Sequence, residues 1–210
     1  MNHYFTNNSD IKSKITDVKV YINNQEFIFF TDNGVFSKKG LDFGTRTLLE
    51  AIPVLSGRVL DFGCGYGPIG IYIKKNNECT VDMVDINERS LDLAKKNALK
   101  NNVDVNIFKS DIYSNIKEKY DFIITNPPIR VGKKILYEIL MNAKNHLVNN
   151  GELWLVINKD QGAKSLVKDL NEVYNVDIVS KNKGFYIIRA VSNWQIVYLF
   201  AKIINWRHIL

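Results

Sequence analysis

Residues 58–67 read Arg-Val-Leu-Asp-Phe-Gly-Cys-Gly-Tyr-Gly, and the architecture of the chain follows from them. An apolar run typical of a buried strand leads into a loop with a glycine at every second position, and a helical pattern starts at Pro68. Glycines here permit a tight turn and a close approach of the backbone to a ligand. The spacing G-x-G-x-G differs from the G-x-G-x-x-G of dinucleotide-binding loops. Asp61, directly before the loop, would repel a phosphate and favours a cationic ligand.

Strand-like and helix-like segments alternate after this loop, which predicts a parallel sheet covered by helices. Strands are predicted at 58–62, 80–84, 103–108, 120–125, 152–157, 175–180 and 184–190, and helices at 68–75, 88–100, about 134–148 and about 161–172. Gly184 is expected to turn the last strand pair antiparallel. Upstream, residues 15–37 alternate apolar and polar side chains around Asn23-Asn24, which predicts a β-hairpin. The predicted fold is α/β and doubly wound, with an N-terminal β-hairpin extension.

Length and composition favour one main domain. The chain has 210 residues, of which 46% are hydrophobic and 24% charged, and no Pro/Gly/Ser-rich linker divides it. We expect a hairpin extension at 1–40, the main domain at 41–190 and an apolar tail at 191–210. Three interpretations of the tail stay open: a helix packed on the domain or on another subunit, as in a homodimer; an interfacial anchor; or an extension without function. Because it contains Lys202, Arg207 and His208, no stable membrane association is expected.

The net charge, the N-terminal residues, the cysteines and the histidines indicate which partners, location and metal chemistry to expect. The net charge of +6 and the pI near 9.1 favour a polyanionic partner, although charge alone is a weak indication. Residues 1–5 lack the features of a signal peptide, which predicts a cytoplasmic protein. Cys64 and Cys79 are expected to be reduced and structural. No metal-ligand spacing occurs in the sequence, and the three histidines lie outside every motif.

Three aspartates lie at or just after the carboxyl ends of the first three strands of the predicted sheet. Asp85 lies at the interval after the glycine loop at which a carboxylate meets ribose hydroxyls, and Asp111 has the chemistry to accept from an adenine amino group. Ile86 and Ile112, each next to one of these acids, are expected to sandwich the ring. Taken singly, each acid also fits a helix N-cap or a solvated loop position. The carboxyl ends of parallel strands meet at one edge of a sheet, so Asp61, Asp85 and Asp111 together predict an adenosine-binding site.

Asn126-Pro127-Pro128-Ile129 follows the strand predicted at 120–125. Two prolines remove two backbone donors and restrict their neighbours to extended conformations. The amide oxygen of Asn126 and the carbonyl of Pro127 are then suited to accept the two hydrogens of a planar amine and to direct its lone pair at an electrophilic carbon. The alternative is a Pro-Pro loop that merely ends a strand.

A set of short motifs between about residues 25 and 190 extends beyond these single sites. They are Gly34-Val35-Phe36-Ser37, Leu41-Asp42-Phe43-Gly44-Thr45-Arg46, the loop Val59 to Gly67 with Ile69-Gly70, Val84-Asp85-Ile86-Asn87, Thr125 to Arg130, Gly132-Lys133, Val156-Ile157-Asn158-Lys159, Gln161-Gly162-Ala163 and Lys183-Gly184. Together they resemble class I S-adenosylmethionine-dependent methyltransferases, and within these the ribosomal RNA small-subunit methyltransferase C type, which methylates guanine N2. The best-known members carry a further, degenerate domain ahead of the catalytic one, where this sequence has the hairpin segment.

The resemblance implies a Rossmann-like methyltransferase fold, a seven-stranded and mostly parallel sheet with its last strand antiparallel, S-adenosylmethionine as cofactor, and ribosomal RNA or the small ribosomal subunit as partner. Residues expected to bind the cofactor are Asp61, Gly63, Gly65, Gly67, Asp85, Ile86, Asp111, Ile112 and Asn126. Residues expected at the reacting amine are Asn126, Pro127, Pro128 and Ile129, and those expected to steer RNA phosphates are Arg130, Lys133, Lys159 and Lys183.

The identity of Ile129 favours guanine as the acceptor. An aromatic residue at this position is typical of relatives that methylate adenine N6 or glutamine N5. A paired guanine hides its amine, so the target is expected to be single-stranded or flipped out. Two alternatives stay open: methylation of a protein glutamine or a small-molecule amine, and a non-catalytic RNA-binding module. For the lysines, a solvated surface role is also open. Arg46 either supports the pocket or contacts the cofactor, and the sequence does not distinguish between these two roles.

Overall fold

The computed structural model describes residues 12–33, 35, 37 and 40–192. Nine strands and five helices occur in this part of the chain. The strands are β1 (Thr16–Ile22), β2 (Gln25–Thr31), β3 (Gly57–Phe62), β4 (Cys79–Asp85), β5 (Asn106–Lys109), β6 (Tyr120–Thr125), β7 (Leu147–Asn158), β8 (Asn175–Asn182) and β9 (Phe185–Val191). The helices are α1 (Phe43–Ala51), α2 (Pro68–Asn76), α3 (Glu88–Lys100), α4 (Lys133–Asn142) and α5 (Ala163–Leu170), with 3₁₀ turns at Ile129–Val131, Ala143–His146 and Lys159–Gln161.

The main sheet has seven strands in the order β5-β4-β3-β6-β7-β9-β8. Neighbours from β5 to β7 pair in parallel, and β9 is antiparallel to both β7 and β8. This confirms the doubly wound, mostly parallel sheet with its last strand antiparallel. The strand order reverses between β3 and β6, and the crevice beyond the carboxyl ends at such a switch point is where ligands bind in open α/β sheets.

The two faces of the sheet bury separate apolar clusters. Consecutive strand residues point to opposite faces, so Val59 joins the cluster under α1, α2, α3 and the hairpin, whereas Leu60 joins the cluster under α4 and α5. The same alternation separates Ile124 from Ile123 on β6. Because β3 and β6 are covered on both faces, each strand carries apolar side chains on both of its sides. The loops at their carboxyl ends therefore follow strands that are packed on both faces.

The hairpin of β1 and β2 turns at Asn23 and Asn24, which both have positive φ, as the sequence predicted. It is fastened to α3 by Asn97 and Asn101, two buried side chains one helical turn apart. Asn97 Oδ1 accepts from Phe30 N at 2.6 Å and its Nδ2 donates to Phe30 O at 3.0 Å. The amide nitrogen of Asn97 also donates to Tyr66 O in the glycine loop at 2.8 Å. Side chains of α3 thus form hydrogen bonds with the backbone N–H and C=O groups at the free edge of β2, and they connect the hairpin to the glycine loop.

Several elements of the structure differ from the predictions. Helix α1 had no prediction at all, and β5 begins at Asn106 rather than at residue 103. The helix predicted to residue 148 ends at Asn142, because β7 already begins at Leu147. The strand predicted from residue 152 also begins earlier, at Leu147. Asn149-Asn150-Gly151 form an irregularity within it, where Asn150 has a φ of 61° and the pairing register with β6 shifts.

The predictions for the tail lie almost wholly outside the described residues, since 193–210 and 1–11 are not among them. Within the described part, none of the helices has the length and hydropathy needed to span a bilayer.

Candidate functional site

A cleft opens at the carboxyl ends of β3, β4 and β6. It consists of two adjoining cavities, of about 380 Å³ and about 500 Å³, which share Gly63, Asp85, Asn126 and Pro128. We call the first the β5 lobe, because Ser110, Asp111 and Ile112 after β5 line it together with Phe62, Val84, Ile86, Val131, Ile135 and Ile139. We call the second the α1 lobe, because it is lined by Asp42, Phe43 and Thr45 together with Ser37, Cys64, Gly65, Tyr66, Pro68, Ile69, Ser90, Pro127, Ile129, Gln161 and Phe185.

The glycine loop leaves space on the side of the cleft. Gly63 has a φ of 71° and Gly65 a φ of 57°, and a Cβ at either position would have no described heavy atom within 4 Å. The third predicted glycine, Gly67, has a different surrounding. A Cβ there would lie 2.9 Å from Met83 Cε, and Gly67 lines neither lobe. Gly63 and Gly65 therefore leave open space beside the backbone, whereas Gly67 lets the loop and α2 pack against β4.

Asp61 is fully buried behind the loop and lines neither lobe. Its Oδ2 accepts from Gly70 N in the first turn of α2 at 2.8 Å, and its Oδ1 has no hydrogen-bond partner among the described residues. Burial raises the pKa of Asp61 to about 7, and the nearby charge of Asp85 acts in the same direction. A direct role of Asp61 in ligand binding stays a prediction.

Asp85 lies at the junction of the two lobes. Its Oδ2 accepts from Gly65 N at 2.9 Å and its Oδ1 from Asn87 N at 2.8 Å, so the carboxylate holds the glycine loop to the end of β4. Burial raises the pKa of Asp85, and the backbone N–H groups oppose this shift. The backbone N–H of Ile86 is a third donor to this carboxylate. A carboxylate has about four acceptor sites, so Asp85 remains able to accept from a hydroxyl group in the cleft.

The β5 lobe brings together the other predicted residues on this side. Ile86, which is 36% exposed, lines it with Asp111 and Ile112. The turn that presents Asp111 and Ile112 is held by Ser110, a buried side chain that the sequence analysis missed. Its Oγ donates to Ile112 O at 2.9 Å and accepts from Asn115 N at 3.3 Å. The β5 lobe is therefore an apolar cavity with the carboxylates of Asp85 and Asp111 at its margin.

Asn126, directly after β6, has its amide group oriented by α1. The Nδ2 donates to Thr45 Oγ1 at 2.9 Å and lies 3.3 Å from Asp42 Oδ1, and Thr45 Oγ1 in turn donates to Asp42 Oδ2 at 2.5 Å. A carboxylate only accepts, so the nitrogen of Asn126 must face Asp42 and the Oδ1 must lie on the other side. Among the described residues no donor meets that oxygen. Asp42 also caps the N-terminus of α1.

The Pro127-Pro128-Ile129 segment continues the wall of the α1 lobe. Pro127 is buried, whereas Pro128 and Ile129 are half-buried. The carbonyl of Pro128 accepts from Val131 N at 3.2 Å and so starts the 3₁₀ turn. No donor in the described part of the chain reaches the carbonyl of Pro127. The segment therefore adds an unused acceptor next to Asn126.

Two phenylalanines from distant parts of the chain form the outer wall of the α1 lobe. The ring centroids of Phe43 and Phe185 are 5.7 Å apart with an angle of 52° between the planes. Gly44 permits this approach, because a Cβ there would lie 3.0 Å from the Phe185 ring. Lys183 Nζ lies 5.2 Å from the centroid of the Phe43 ring. The wall is thus aromatic on its inside and carries positive charge at its rim.

The remaining predicted basic residues are spread out. Lys159 lies beside Gly184, near the same rim, whereas Lys133 begins α4 and places its Nζ 4.8 Å from the Tyr137 ring centroid, outside both lobes. The side chain of Arg130 is not among those described. Arg46, for which two roles were open, donates to Tyr21 O in the hairpin and lines neither lobe. Among the predicted basic residues whose side chains the structure describes, Lys159 and Lys183 stand near the α1 lobe.

The model of the methyltransferase small domain family matches residues 26–189 of the chain. The chain belongs to this family. Membership confirms the predicted class of enzyme, an S-adenosylmethionine-dependent methyltransferase with a Rossmann-like fold.

Relatives of this methyltransferase include full-length and partial matches. The "Uncharacterized protein YbxB" of Bacillus subtilis is 43% identical over 195 residues, covering 90% of this chain and 97% of that protein. Ribosomal RNA small subunit methyltransferase C of Psychromonas ingrahamii is 38% identical over 184 residues, covering 83% of this chain. The chain spans about half of that relative, 52% of its length. The solved structure of a T. thermophilus 16S rRNA N2 methyltransferase (RsmC), in complex with AdoMet and guanosine, superimposes with a TM-score of 0.78 at 23% identity, covering 87% of this chain and 52% of that one, and shows the shared fold.

The cleft of this methyltransferase fits its cofactor. The space beside Gly63 and Gly65 admits a ligand against the backbone. The β5 lobe offers apolar walls for a planar ring and Asp111 beside them, and Asp85 offers free lone pairs for hydroxyl groups. Among the described residues, no cluster of three or more His, Cys, Asp or Glu side chains is arranged to hold a metal ion.

Several lining residues were not assigned by the sequence analysis: Asp42, Phe43, Thr45, Ser110, Gln161 and Phe185. Four of them, Asp42, Phe43, Thr45 and Gln161, belong to the motifs at 41–46 and 161–163 that carried the family resemblance. The motifs marked these positions but did not indicate that their side chains line the cleft. Phe185 directly follows such a motif, and Ser110 precedes Asp111.

Proposed function

We propose that this protein transfers a methyl group to the exocyclic 2-amino group of a guanine in small-subunit ribosomal RNA. The observation that supports it most directly is the orientation of Asn126, whose Nδ2 is engaged by Thr45 and Asp42. Its Oδ1 is thereby left to accept from a substrate. With the carbonyl of Pro127 beside it, the α1 lobe provides two acceptors for the two hydrogens of an amine.

Holding both hydrogens of the amine fixes the direction of the nitrogen lone pair. The pair is then directed out of the plane of the base, toward the junction of the lobes at Gly63 and Asp85. Bound S-adenosylmethionine supplies an electrophilic methyl group. Alignment at near-attack distance accounts for most of the rate in such a reaction, so the chain's principal contribution is to position the amine.

On the cofactor side, each predicted residue has one task. Asp85 accepts from the ribose hydroxyls, Asp111 accepts from the adenine amino group, and Ile86 and Ile112 flank the ring. Gly63 and Gly65 bring the backbone close to the ligand. Asp61 lies behind the loop, where burial favours its protonated form, and a cationic ligand in the cleft would favour the ionised form instead.

A planar, aromatic acceptor fits the α1 lobe. Phe43, Phe185, Pro128 and Ile129 all line it and offer apolar surface for contact with a base. Ile129 in place of an aromatic residue favours guanine over adenine or glutamine. The identity with ribosomal RNA small subunit methyltransferase C of P. ingrahamii, 38% over 184 residues, supports ribosomal RNA as the substrate.

The charge of the protein supports an RNA partner. The net charge is +6, and Lys159 and Lys183 stand near the rim through which a nucleotide would enter. A base in this lobe must leave its stack, so the target is a single-stranded or flipped nucleotide. The cytoplasmic location predicted from the sequence agrees with a ribosomal substrate.

Methyl-labelled S-adenosylmethionine tests the proposal. The protein is incubated separately with small ribosomal subunits, free small-subunit rRNA and the subunit proteins, and the products are digested and analysed as nucleosides and amino acids. We expect the label in N2-methylguanosine at one mapped position, and loss of most turnover in Asn126→Ala with cofactor affinity retained. Label in protein alone, or in another nucleoside, would overturn the proposal, and unchanged turnover in Asn126→Ala would refute the role of its amide oxygen.

A further inference from the structure

Gln161 is an exposed residue whose side-chain amide is oriented by a hydrogen bond from the backbone. It ends the 3₁₀ turn that follows β7, and its Oε1 accepts from Asn158 N at 3.1 Å. Asn158 accepts from Asp160 N through its own side chain at 3.0 Å, which completes a reciprocal capping box. A backbone N–H only donates, so the atom of Gln161 that faces it must be the carbonyl oxygen. The Nε2 therefore occupies the other branch of the amide.

This Nε2 carries two hydrogens and meets no acceptor within the described ranges. Gln161 lines the α1 lobe together with Asn126 and Ile129. Asn126 follows β6 and Gln161 follows β7, which are neighbouring strands with Thr125 paired to Leu155. The lobe thus presents a hydrogen-bond acceptor beyond one strand and a donor beyond the next.

We propose that Gln161 is a specificity-determining residue, which donates from Nε2 to O6 of the guanine whose 2-amino group is held by Asn126. The inference rests on the proposed function and goes beyond it, because the amine pocket alone does not select guanine among purines that carry a 2-amino group. Guanine has an acceptor at position 6, whereas a 6-aminopurine has a donor there. In 2,6-diaminopurine the 2-amino group is unchanged, but its 6-amino group would face the donor of Gln161.

The test compares two synthetic RNAs and two variants. The RNAs are the small-subunit fragment that contains the mapped guanosine, and the same fragment with 2,6-diaminopurine riboside at that position. Gln161→Glu keeps an oxygen for Asn158 N but replaces the free donor by an acceptor. Ser165→Ala is the matched control, since Ser165 donates to Gly162 O in the following turn and lines neither lobe. The measured quantity is the ratio of kcat/KM for the two RNAs, from which any general loss of folding or RNA affinity cancels.

We expect the unchanged protein and Ser165→Ala to prefer guanine by about tenfold to one hundredfold, the cost of leaving a polar group unpaired. In Gln161→Glu the ratio of kcat/KM should change by at least about tenfold in favour of the diaminopurine RNA. An unchanged ratio in Gln161→Glu, with both RNAs still methylated, would overturn the assignment of Gln161 and leave the proposed function intact. No methyl transfer to the guanosine RNA by the unchanged protein would instead overturn the proposed function, and this inference with it.

Discussion

The side chain of Asn126 donates to Thr45 Oγ1 over 2.9 Å, so an amide at the end of β6 is oriented by a residue of α1. Thr45→Val keeps the shape of the side chain and removes its hydroxyl. Asn126 then loses this partner and gains freedom to rotate its amide nitrogen toward the substrate. Because small displacements of a reacting group reduce the rate strongly, we expect kcat to fall by about tenfold to one hundredfold. Steady-state kinetics with the mapped RNA measures this change.

Thr47→Val provides the matched control for this variant. Thr47 lies in the same helix, is buried, and donates to Phe43 O at 2.8 Å, but it does not line the cleft. It should keep its kcat within about twofold of the unchanged protein, because its bond is local to the helix. The affinity for S-adenosylmethionine, measured by calorimetry, should be the same in both variants. Equal loss of kcat in the two would contradict the orienting role of Thr45.

Asp85 is expected to govern affinity for the cofactor. In Asp85→Ala the acceptors for hydroxyl groups disappear, and Gly65 N and Asn87 N lose their partner. Hydrogen bonds to a charged group contribute about 1.5–3 kcal/mol, so the Kd for S-adenosylmethionine should rise by at least about tenfold. Calorimetric titration measures it. Asp104→Ala, an exposed acid in the loop before β5, serves as control and should bind with unchanged affinity. Unchanged affinity in Asp85→Ala would refute its assignment.

Phe185 is expected to act on RNA and not on the cofactor. Stacking of a base on an aromatic side chain contributes about 1–3 kcal/mol by alanine substitution. In Phe185→Ala, kcat/KM for RNA should therefore fall by about tenfold to one hundredfold, while the Kd for S-adenosylmethionine stays the same. Tyr186→Ala removes the neighbouring aromatic residue, which contributes to the opposite apolar cluster. A larger loss in Tyr186→Ala than in Phe185→Ala would contradict a stacking role of Phe185.

The sequence predicted those parts of the fold in which the pattern is local. The strand at 120–125 and the helix at 88–100 have their predicted bounds, because their apolar spacing is regular and their ends carry clear signals. Helix α1 was missed, since its nine residues Phe-Gly-Thr-Arg-Thr-Leu-Leu-Glu-Ala include a glycine and two threonines that are poor helix formers. Its cap at Asp42 and burial of Leu48 and Leu49 stabilise it in the folded chain.

The site was predictable as a list of residues, but its geometry was not. The contact of Asn126 with Asp42 joins positions 84 residues apart, and no local pattern reveals such a pair. Likewise, the sequence grouped Gly63, Gly65 and Gly67 as equivalent. Only the packing of Met83 against Gly67 shows that the third glycine serves the fold and the other two leave space for a ligand.

The buried carboxyl group of Asp61 should make stability depend on pH in a characteristic direction. Burial raises its pKa from the ordinary value of 3.8 to about 7. Between these two values the folded protein binds more protons than the unfolded chain, so the free energy of unfolding falls as pH rises, and above about pH 7 the full cost of ionising the buried group is present. A pKa that is higher by one in the folded protein corresponds to about 1.4 kcal/mol, which limits the whole effect to about 4 kcal/mol.

Asp61→Asn removes this titration, because the amide is neutral at every pH. Urea unfolding at pH 5 and at pH 8 measures the free energy of both proteins. Stability of the variant relative to the unchanged protein should be higher at pH 8 than at pH 5, by about 3 kcal/mol. Comparing the two proteins at each pH cancels the contribution of titrating groups that do not interact with Asp61. Asp85 does interact with it, so the measured difference belongs to the Asp61–Asp85 pair. Equal pH dependence in both proteins would mean that Asp61 is ionised throughout, and a cationic partner rather than a proton would then have to balance its charge.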